Sequence, residues 1–452
     1  MADKYGSLFD RIIKYQMTAV CREPLHVGGN GGRDGGILVH PVKNVPFIQA
    51  TGIAGAMRDY LAGKDENGDR GLQAQLFGAS AGAVDGVDAI DCCSKVRVSD
   101  AFFTGNVVNV ELRPRVKIDR ETGTCQSEQT KGSKKQSGQK FETESVSAGS
   151  EFTFQLYLYE REHELEPVLE QILGALHTGV IQLGGQKSNG CGCIYFSQVL
   201  KSDYDMTKVD DRKAWAAETK PGEAILEKLE AQLADVDKQL HFELTGEVDS
   251  AILVKSITVR DYGEEAPDTE QMRTADGKLV IPATSIKGVV RGQMEKIAKF
   301  KGLSEMDIEQ IFGKNSEKGK TGFLGQIHFF DAILEGGERP AQKRIHIDKF
   351  TGGVMYGELF AETPAYGKLK IRVDLEKEDK KAAGLVLMAL RDIGIGILPL
   401  GSGSNVGRGY ISGSELLIKE GTDVVAKIDL KKKQVETGAD RISEYLKAAK
   451  AR

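Results

Sequence analysis

Apolar and polar positions alternate or recur at helical spacing in a way that spells the same elements twice. Residues 12–20 and 240–254 read as strands, one opening each half of the chain. A glycine- and charge-rich loop follows each. A helix bearing alanine, methionine and arginine then begins near Thr51 in the first half and Thr284 in the second. Thr51, Ser285 and Thr284 stand just ahead of the helical pattern, where a hydroxyl can cap the first free amides. Alternating strands come next, at 152–159 and 369–375. A second helix, 166–177 or 381–393, runs into a glycine-rich loop and a closing strand.

The doubling extends to residue identity. Ala50-Thr51-Gly52-Ile53-Ala54-Gly55-Ala56-Met57-Arg58 matches Ala283-Thr284-Ser285-Ile286-Lys287-Gly288-Val289-Val290-Arg291. Phe77-Gly78 matches Phe312-Gly313, and Ser99-Asp100-Ala101 sits against Phe330-Asp331-Ala332. Lys117-Ile118-Asp119 with Thr122-Gly123 matches His346-Ile347-Asp348 with Thr351-Gly352. Glu144 and Gly149 match Glu362 and Gly367. Last, Leu183-Gly184, Gly190, Gly192 and Ile194 match Leu400-Gly401, Gly407, Gly409 and Ile411. Six anchors in one order mean a tandem duplication of a unit of about 200 residues, two fused domains rather than a solenoid. The expected division is 1–200, a linker at 201–240, and 241–452. In the linker Ile225, Leu229, Leu233, Val236 and Leu240 fall at helical spacing, so a helix packed on one domain is expected, with a coiled-coil contact as the alternative. The order strand, helix, strands, helix, strand is an α+β, split βαβ, ferredoxin-like pattern with insertions. RNA-recognition domains share that topology, although the aromatic pair of their RNA-binding strands is not visible here.

Composition narrows the class. The chain has 452 residues, 40 % hydrophobic and 28 % charged, and no apolar run long enough to cross a membrane. Its start lacks a secretory pattern, so a cytoplasmic protein with no membrane partner is expected. All six cysteines, Cys21, Cys92, Cys93, Cys125, Cys191 and Cys193, fall in the first half, which is no disulfide framework in a chain this long. Their CC and CxC spacings also lack the CxxC pattern of a zinc site, so reduced, partly buried thiols are expected. Glycine is abundant, 53 residues, which suggests backbone closely approached by something. The net charge of −5 says little, because local charge governs nucleic-acid binding.

Two features invite a nucleic-acid reading. The loops from Gly184 to Gly192 and from Gly401 to Gly409 fit neither the P-loop nor GxGxxG, and each leaves a helix to enter a strand. They read either as tight turns packed on the sheet or as cradles for a phosphate backbone, with Lys187, Ser188, Ser404, Asn405 and Arg408 as donors. The stretch 113–140 carries Arg113, Arg115, Lys117, Arg120, Lys131, Lys134, Lys135 and Lys140 against three acids. A shorter basic stretch with Lys343, Arg344 and His346 recurs in the second repeat. A solvated face is the bland reading, and the recurrence favours RNA phosphate.

At these residues the chain resembles the RAMP superfamily, and more narrowly the backbone subunits of type III CRISPR effectors. It shows Leu25-His26-Val27-Gly28-Gly29, then Pro46 to Gly55, then Ile118-Asp119-Arg120 with Thr122-Gly123. The second repeat shows Ile281 to Gly288 and Ile347-Asp348-Lys349 with Thr351-Gly352. A tandem fusion of two such units is most similar to the fused subunits of type III-D systems. The resemblance implies two RAMP domains, each with a projecting β-hairpin thumb that splays a guide–target duplex. It also implies an aspartate, after the first strand of each unit, that supports metal-dependent cleavage of target RNA. Asp34 and Asp268 stand at that place.

The implied partners are a guide RNA (crRNA), a complementary target RNA and other effector subunits; the implied cofactor is Mg²⁺ or another divalent cation at Asp34 and Asp268. A 2′-hydroxyl beside a splayed phosphate can attack in line, and a carboxylate can hold Mg²⁺ or help remove the proton. His26 and His40 are acid–base candidates beside Asp34, His26 also reading as structural, and Arg273 could stabilise the phosphorane beside Asp268. The helix starts at Gly52, Gly55, Ser285 and Gly288, with Arg58, Lys287 and Arg291, would receive guide phosphates. The first repeat departs from the pattern at Ala54, where Lys287 stands in the second, and has no arginine five residues after Asp34. Alternatives from other classes are a non-catalytic RNA-binding scaffold and a stand-alone endonuclease that processes guide precursors.

Overall fold

The computed structural model describes residues 8–28, 36–64, 71–78, 93–105, 108–116, 127–128, 137–138, 140–161, 164–231, 239–256, 266–314 and 322–450. The chain divides into two compact units. Unit 1 is Met1–Val110, Ser145–Lys187 and Cys191–Asp237; unit 2 is Glu111–Glu144, Ser188–Gly190 and Lys238–Arg452. The strand Val110–Val116 and its partner Lys140–Val146, a hairpin of the first repeat, therefore fall mostly in unit 2.

In unit 1, strand β1 (Arg11–Cys21) is central, and the elements that follow are α1 (Ala50–Lys64), β2 (Val96–Val98), β3 (Ala101–Phe103), β4 (Glu151–Glu160), α2 (Glu166–Thr178) and β5 (Ile194–Asp205). β1 pairs antiparallel with β4 on one side and β5 on the other, and β2 and β3 both pair with the far edge of β4. Period-two alternation sends Ile13, Tyr15, Met17 and Ala19 to one face, where they meet Ile53 and Met57 of α1 and Leu169, Ile172, Leu173 and Leu176 of α2 in one core. Residues 201–205, expected in the linker, complete β5. The rest of that stretch forms a helix, Val209–Ala217, whose Trp215 ring packs edge-on against Tyr157 and Tyr204, and a short helix Leu226–Ala231 that buries Leu229. Leu233 and Val236 lie outside the described residues.

Unit 2 repeats the plan with β6 (Leu240–Val248), α3 (Ala283–Phe300), β7 (Ile327–Phe329), β8 (Ala332–Glu338), β9 (Ala365–Leu375), α4 (Lys380–Gly394) and β10 (Ile411–Glu420). β6 lies between β9 and β10, and β7 and β8 pair with the far edge of β9. The duplication reaches the irregularities: the register slips at Thr18/Ala19 against β5 and at Thr245/Gly246 against β10. Two further strands, Asp423–Asp429 and Gln434–Thr437, widen this sheet, and a helix, Ala439–Ala448, packs on α4. Gly384 of α4 permits that approach, since a Cβ there would stand 2.2 Å from the Tyr445 carbonyl oxygen. The protein is thus α+β, with two large antiparallel sheets. Among the described residues no helix is long and apolar enough to cross a membrane.

The glycine loops are packed turns. A Cβ at Gly184 would stand 2.3 Å from the His26 carbonyl oxygen, at Gly192 2.2 Å from that of Leu183, and at Gly409 2.0 Å from that of Leu400. All three residues have positive φ, so the loops need glycine for the fold itself.

Candidate nucleic-acid interface

The two helices α1 and α3 begin alike, and not as local capping rules predict. The Ala50 N–H donates to Asp100 Oδ1 at 2.8 Å, and the Ala283 N–H donates to Asp331 Oδ1 at 2.8 Å. Pro282 holds the cap position of α3 with no side-chain bond. The expected hydroxyl caps Thr51, Thr284 and Ser285 are thus replaced by an aspartate from the following strand region. Just inside each start, Gly52, Gly55 and Gly288 have open space where a Cβ would be. A helical glycine costs up to about 1 kcal/mol relative to alanine, and among the described residues no close approach requires these three. They leave bare backbone facing outward at helix N-termini, where amides and the helix dipole favour an anion.

Cations gather at the start of α3. Lys287 Nζ donates to Ser188 Oγ at 2.8 Å and to Asn189 Oδ1 at 3.0 Å, two neutral acceptors. Burial, then the charges of Arg291 and Arg115, push its ammonium down to about 8. Arg291 bonds Glu295 at 3.0 Å, and its guanidinium lies 5.1 Å from the Phe312 ring centre. In the first repeat Ala54 replaces Lys287, and Arg58 is exposed.

Other predicted cations are spent inside the fold. Arg113 is only 7 % exposed and pairs with Glu111 and Asp331, each at 2.6 Å. Burial alone would lower its pKa, but Asp331 and Glu111 outweigh that and raise it. Arg408 is 3 % exposed, bonding Glu362 at 2.7 Å and Gln342 at 2.5 Å. Neither is a surface phosphate donor, a correction to the reading of the basic stretch and of the second glycine loop. Arg344 is half-buried, 3.8 Å from Glu362. Ser404 and Asn405 are exposed on a short 3₁₀ turn, and Lys187 and Ser188 lie half-buried on its counterpart. Lys117 and Arg120 lie outside the described residues.

Asp34 also lies outside the described residues. Asp268 is exposed at the base of the second hairpin, whose strands are Gln342–Ile347 and Val354–Thr363. Its N–H donates to the Ala361 carbonyl at 2.9 Å, and its Oδ2 accepts from the Ala361 N–H at 2.6 Å. One residue on along that strand, Glu362 gathers Arg408, Lys255 at 3.3 Å and Arg344. Burial pushes the Glu362 carboxyl up, but Arg408 and Lys255 outweigh it and hold it below the ordinary range. Three cations thus surround one carboxylate beside Asp268. Arg273, paired in sequence with Asp268, instead holds Glu338 at 2.8 Å and the Gly277 carbonyl at 2.5 Å. His26 is half-buried and bridges Gly185 through its backbone. The His40 ring Nδ1 accepts the Val42 and Lys43 amides and packs edge-on against Phe47 and Phe102, so it organises a turn.

The Ile-Asp-Lys-Phe-Thr-Gly motif is the tip of that hairpin. Asp348 Oδ1 accepts the Phe350 N–H at 2.9 Å and the Thr351 N–H at 2.7 Å, and Gly352 takes φ 68°. The turn leaves the Phe350 ring 99 % exposed. Of the cysteines, Cys21, Cys191 and Cys193 are buried and free, and burial pushes the Cys21 thiol up to about 12. Cys93 is exposed, and Cys92 and Cys125 lie outside the described residues. Among the described residues no group of three or more His, Cys, Asp or Glu could hold a metal ion.

A model of the RAMP superfamily matches residues 18–195 and 256–412, most of the chain in two segments. The chain belongs to the RAMP superfamily. No curated protein matches it. Membership implies a CRISPR-associated RNA-binding protein. Each RAMP segment runs from the opening strand or the loop after it, through an aspartate-capped helix start, to the first residues of the closing strand. Residue-type reasoning missed Asp100, Asp331, Glu362 and Lys255. The signal for the first two was present, because Asp-Ala recurs at 100–101 and 331–332.

Proposed function

We propose that this RAMP chain is a two-unit backbone subunit of a type III CRISPR ribonucleoprotein, most like the fused subunits of type III-D systems. It holds guide RNA along its helix starts, cleaves complementary target RNA at up to two sites, and works with other effector subunits. The observation that carries the reading is the start of α3: open Gly288 beside Lys287, which donates to the neutral acceptors Ser188 and Asn189 and whose proton affinity is depressed by burial, then by the charges of Arg291 and Arg115. A lysine held by two neutral acceptors beside open helix backbone suits an RNA phosphate. The strand order around β1 and β6 supports ferredoxin-like palms, and the two hairpins support thumbs, the second tipped by Phe350.

For cleavage, Asp268 presents one exposed carboxylate at the hairpin base, beside the cations that gather on Glu362. Mg²⁺ commonly takes one or two carboxylates plus phosphate oxygens, so Asp268 fits as a single-carboxylate ligand. Bound there, the metal would neutralise charge on the scissile phosphate. The 2′-hydroxyl would attack that phosphorus, forming a cyclic phosphate as the bond to the 5′-oxygen breaks, and Asp34 is proposed for the same role in unit 1. The scaffold reading has its own support, since Asp268 already accepts the Ala361 amide and Arg273 is engaged by Glu338. Cleavage of end-labelled target by the reconstituted complex, with Mg²⁺ and with EDTA, decides between them. Asp34→Ala and Asp268→Ala should each remove one product band. Survival of every band in the double variant would make the chain a scaffold.

A further inference from the structure

Unit 2 has a second group of cations, at the opposite end of α3 from Lys287. Beyond the last turn of α3 the chain bends at Gly302, φ 75°, and enters a helix, Glu305–Phe312. Ser304 and Asp307 cap that helix reciprocally: the Ser304 hydroxyl accepts the Asp307 N–H at 3.3 Å, and Asp307 Oδ2 accepts the Ser304 N–H at 2.9 Å. The start of α4 and the end of the helix Ala439–Ala448 meet this bend. Together they line a concave pocket of about 820 Å³, whose walls include Leu303, Asp307, Lys381, Lys447, Ala448 and Lys450. Small-ligand sites commonly have that size. With 18 residues, α3 is about 27 Å long, so the pocket stands well away from the helix start proposed for RNA.

The pocket's one acid is already taken. Asp307 Oδ1 accepts Lys381 Nζ at 2.6 Å, and this bond, then those of Ser304, hold its carboxyl below the ordinary aspartate range. Neighbouring cations are engaged in the same way: Lys380 holds Glu444, and Arg441 holds Glu378 at 2.9 Å and Glu420 at 3.1 Å. Lys447 and Lys450 differ. Both are exposed at the pocket wall, and among the described residues neither enters an ion pair. Two helices, α4 and Glu305–Phe312, also begin here, and their dipoles add positive potential. In unit 1 the equivalent helix start carries an acid, since Glu166 opens α2 and holds Arg11 at 2.7 Å and Lys201. We infer that this pocket of unit 2 binds a small organic phosphate with at least two negative charges, of the size of a nucleoside diphosphate. Lys447 and Lys450 meet the phosphates, for which a lysine ammonium is a compact point charge, and Leu303 and Ala448 face the uncharged part.

The test is calorimetric titration of the full-length protein, without RNA and with EDTA, by ADP and by pyrophosphate at low salt. Saturable one-to-one binding of ADP is expected, with pyrophosphate competing for the same site. Lys447→Gln with Lys450→Gln should weaken ADP about tenfold or more, and Lys447→Arg with Lys450→Arg should retain it. Both lysines are exposed, so these variants should melt as wild type does. Lys431→Gln with Lys433→Gln removes the same charge from an exposed turn elsewhere and should leave ADP affinity unchanged. Absence of saturable ADP binding, or equal weakening by the Lys431 and Lys433 changes, would overturn the inference. Guide-RNA affinity should be the same in Lys447→Gln with Lys450→Gln as in wild type. A fall in it, or binding of an aspartate-rich peptide where ADP does not bind, would also overturn the inference, by making RNA or a protein chain the occupant.

Discussion

The starts of α1 and α3 share a backbone plan and differ in the charges they carry. Both are capped by an aspartate that stands just before a strand, and both carry a glycine with open space beside it within their first two turns. At α3 the aspartate is also paired with Arg113, and a half-buried lysine feels the charges of two arginines. At α1 alanine stands in the place of that lysine, and among the described residues Asp100 enters no ion pair. Duplication kept the scaffold and let the charges diverge, so the same geometry gathers more charge in unit 2 than in unit 1.

The largest contrast should come from the caps. Asp331→Ala removes the partner of a buried arginine and should cost about 3–5 kcal/mol, whereas Asp100→Ala loses a cap worth about 1 kcal/mol. Chemical denaturation of the two variants measures the gap, and equal losses would break the comparison. Glycines divide next. Gly192→Ala and Gly409→Ala meet carbonyl oxygens at positive φ and should each cost more than about 2 kcal/mol. Gly55→Ala and Gly288→Ala should stabilise by about 0.5–1 kcal/mol while weakening RNA binding, a pairing of effects that packing alone does not produce.

Lys287 supplies a pH test. It is charged at neutral pH and loses its proton as pH rises past about 8, and a bound phosphate would restore its ordinary proton affinity. RNA affinity should therefore fall about tenfold between pH 7 and pH 9, and Lys287→Arg should flatten the profile. An unchanged profile in that variant would mean that Lys287 does not meet RNA. The smallest effect belongs to the hairpin tip. Asp348→Ala removes a turn on an exposed loop and should shift stability by less than about 1 kcal/mol by thermal melting.

Much of this fold was legible because its signals are local. Helical spacing located α2 and α4 to within a residue or two of their ends, and alternation found β4 and β9. The caps were not legible as caps, because Asp100 and Asp331 act on amides 50 and 48 residues away in sequence. The basic stretch misled for a related reason: charge content shows a solvated face, but burial of Arg113 depends on an acid far along the chain. The glycine loops hid their role until the carbonyls opposing them were known. Trp215, in a stretch read as linker, gained its meaning only from Tyr157 and Tyr204.

The most direct test of the central claim is the affinity of the full-length chain for guide RNA across a salt series, for wild type, Lys287→Gln and Arg58→Gln. Each variant should bind several-fold to tenfold more weakly and lower the salt slope by about one, with Lys287→Gln the weaker binder. Unchanged affinity and slope in both variants would contradict the account and remove the helix starts from the RNA path.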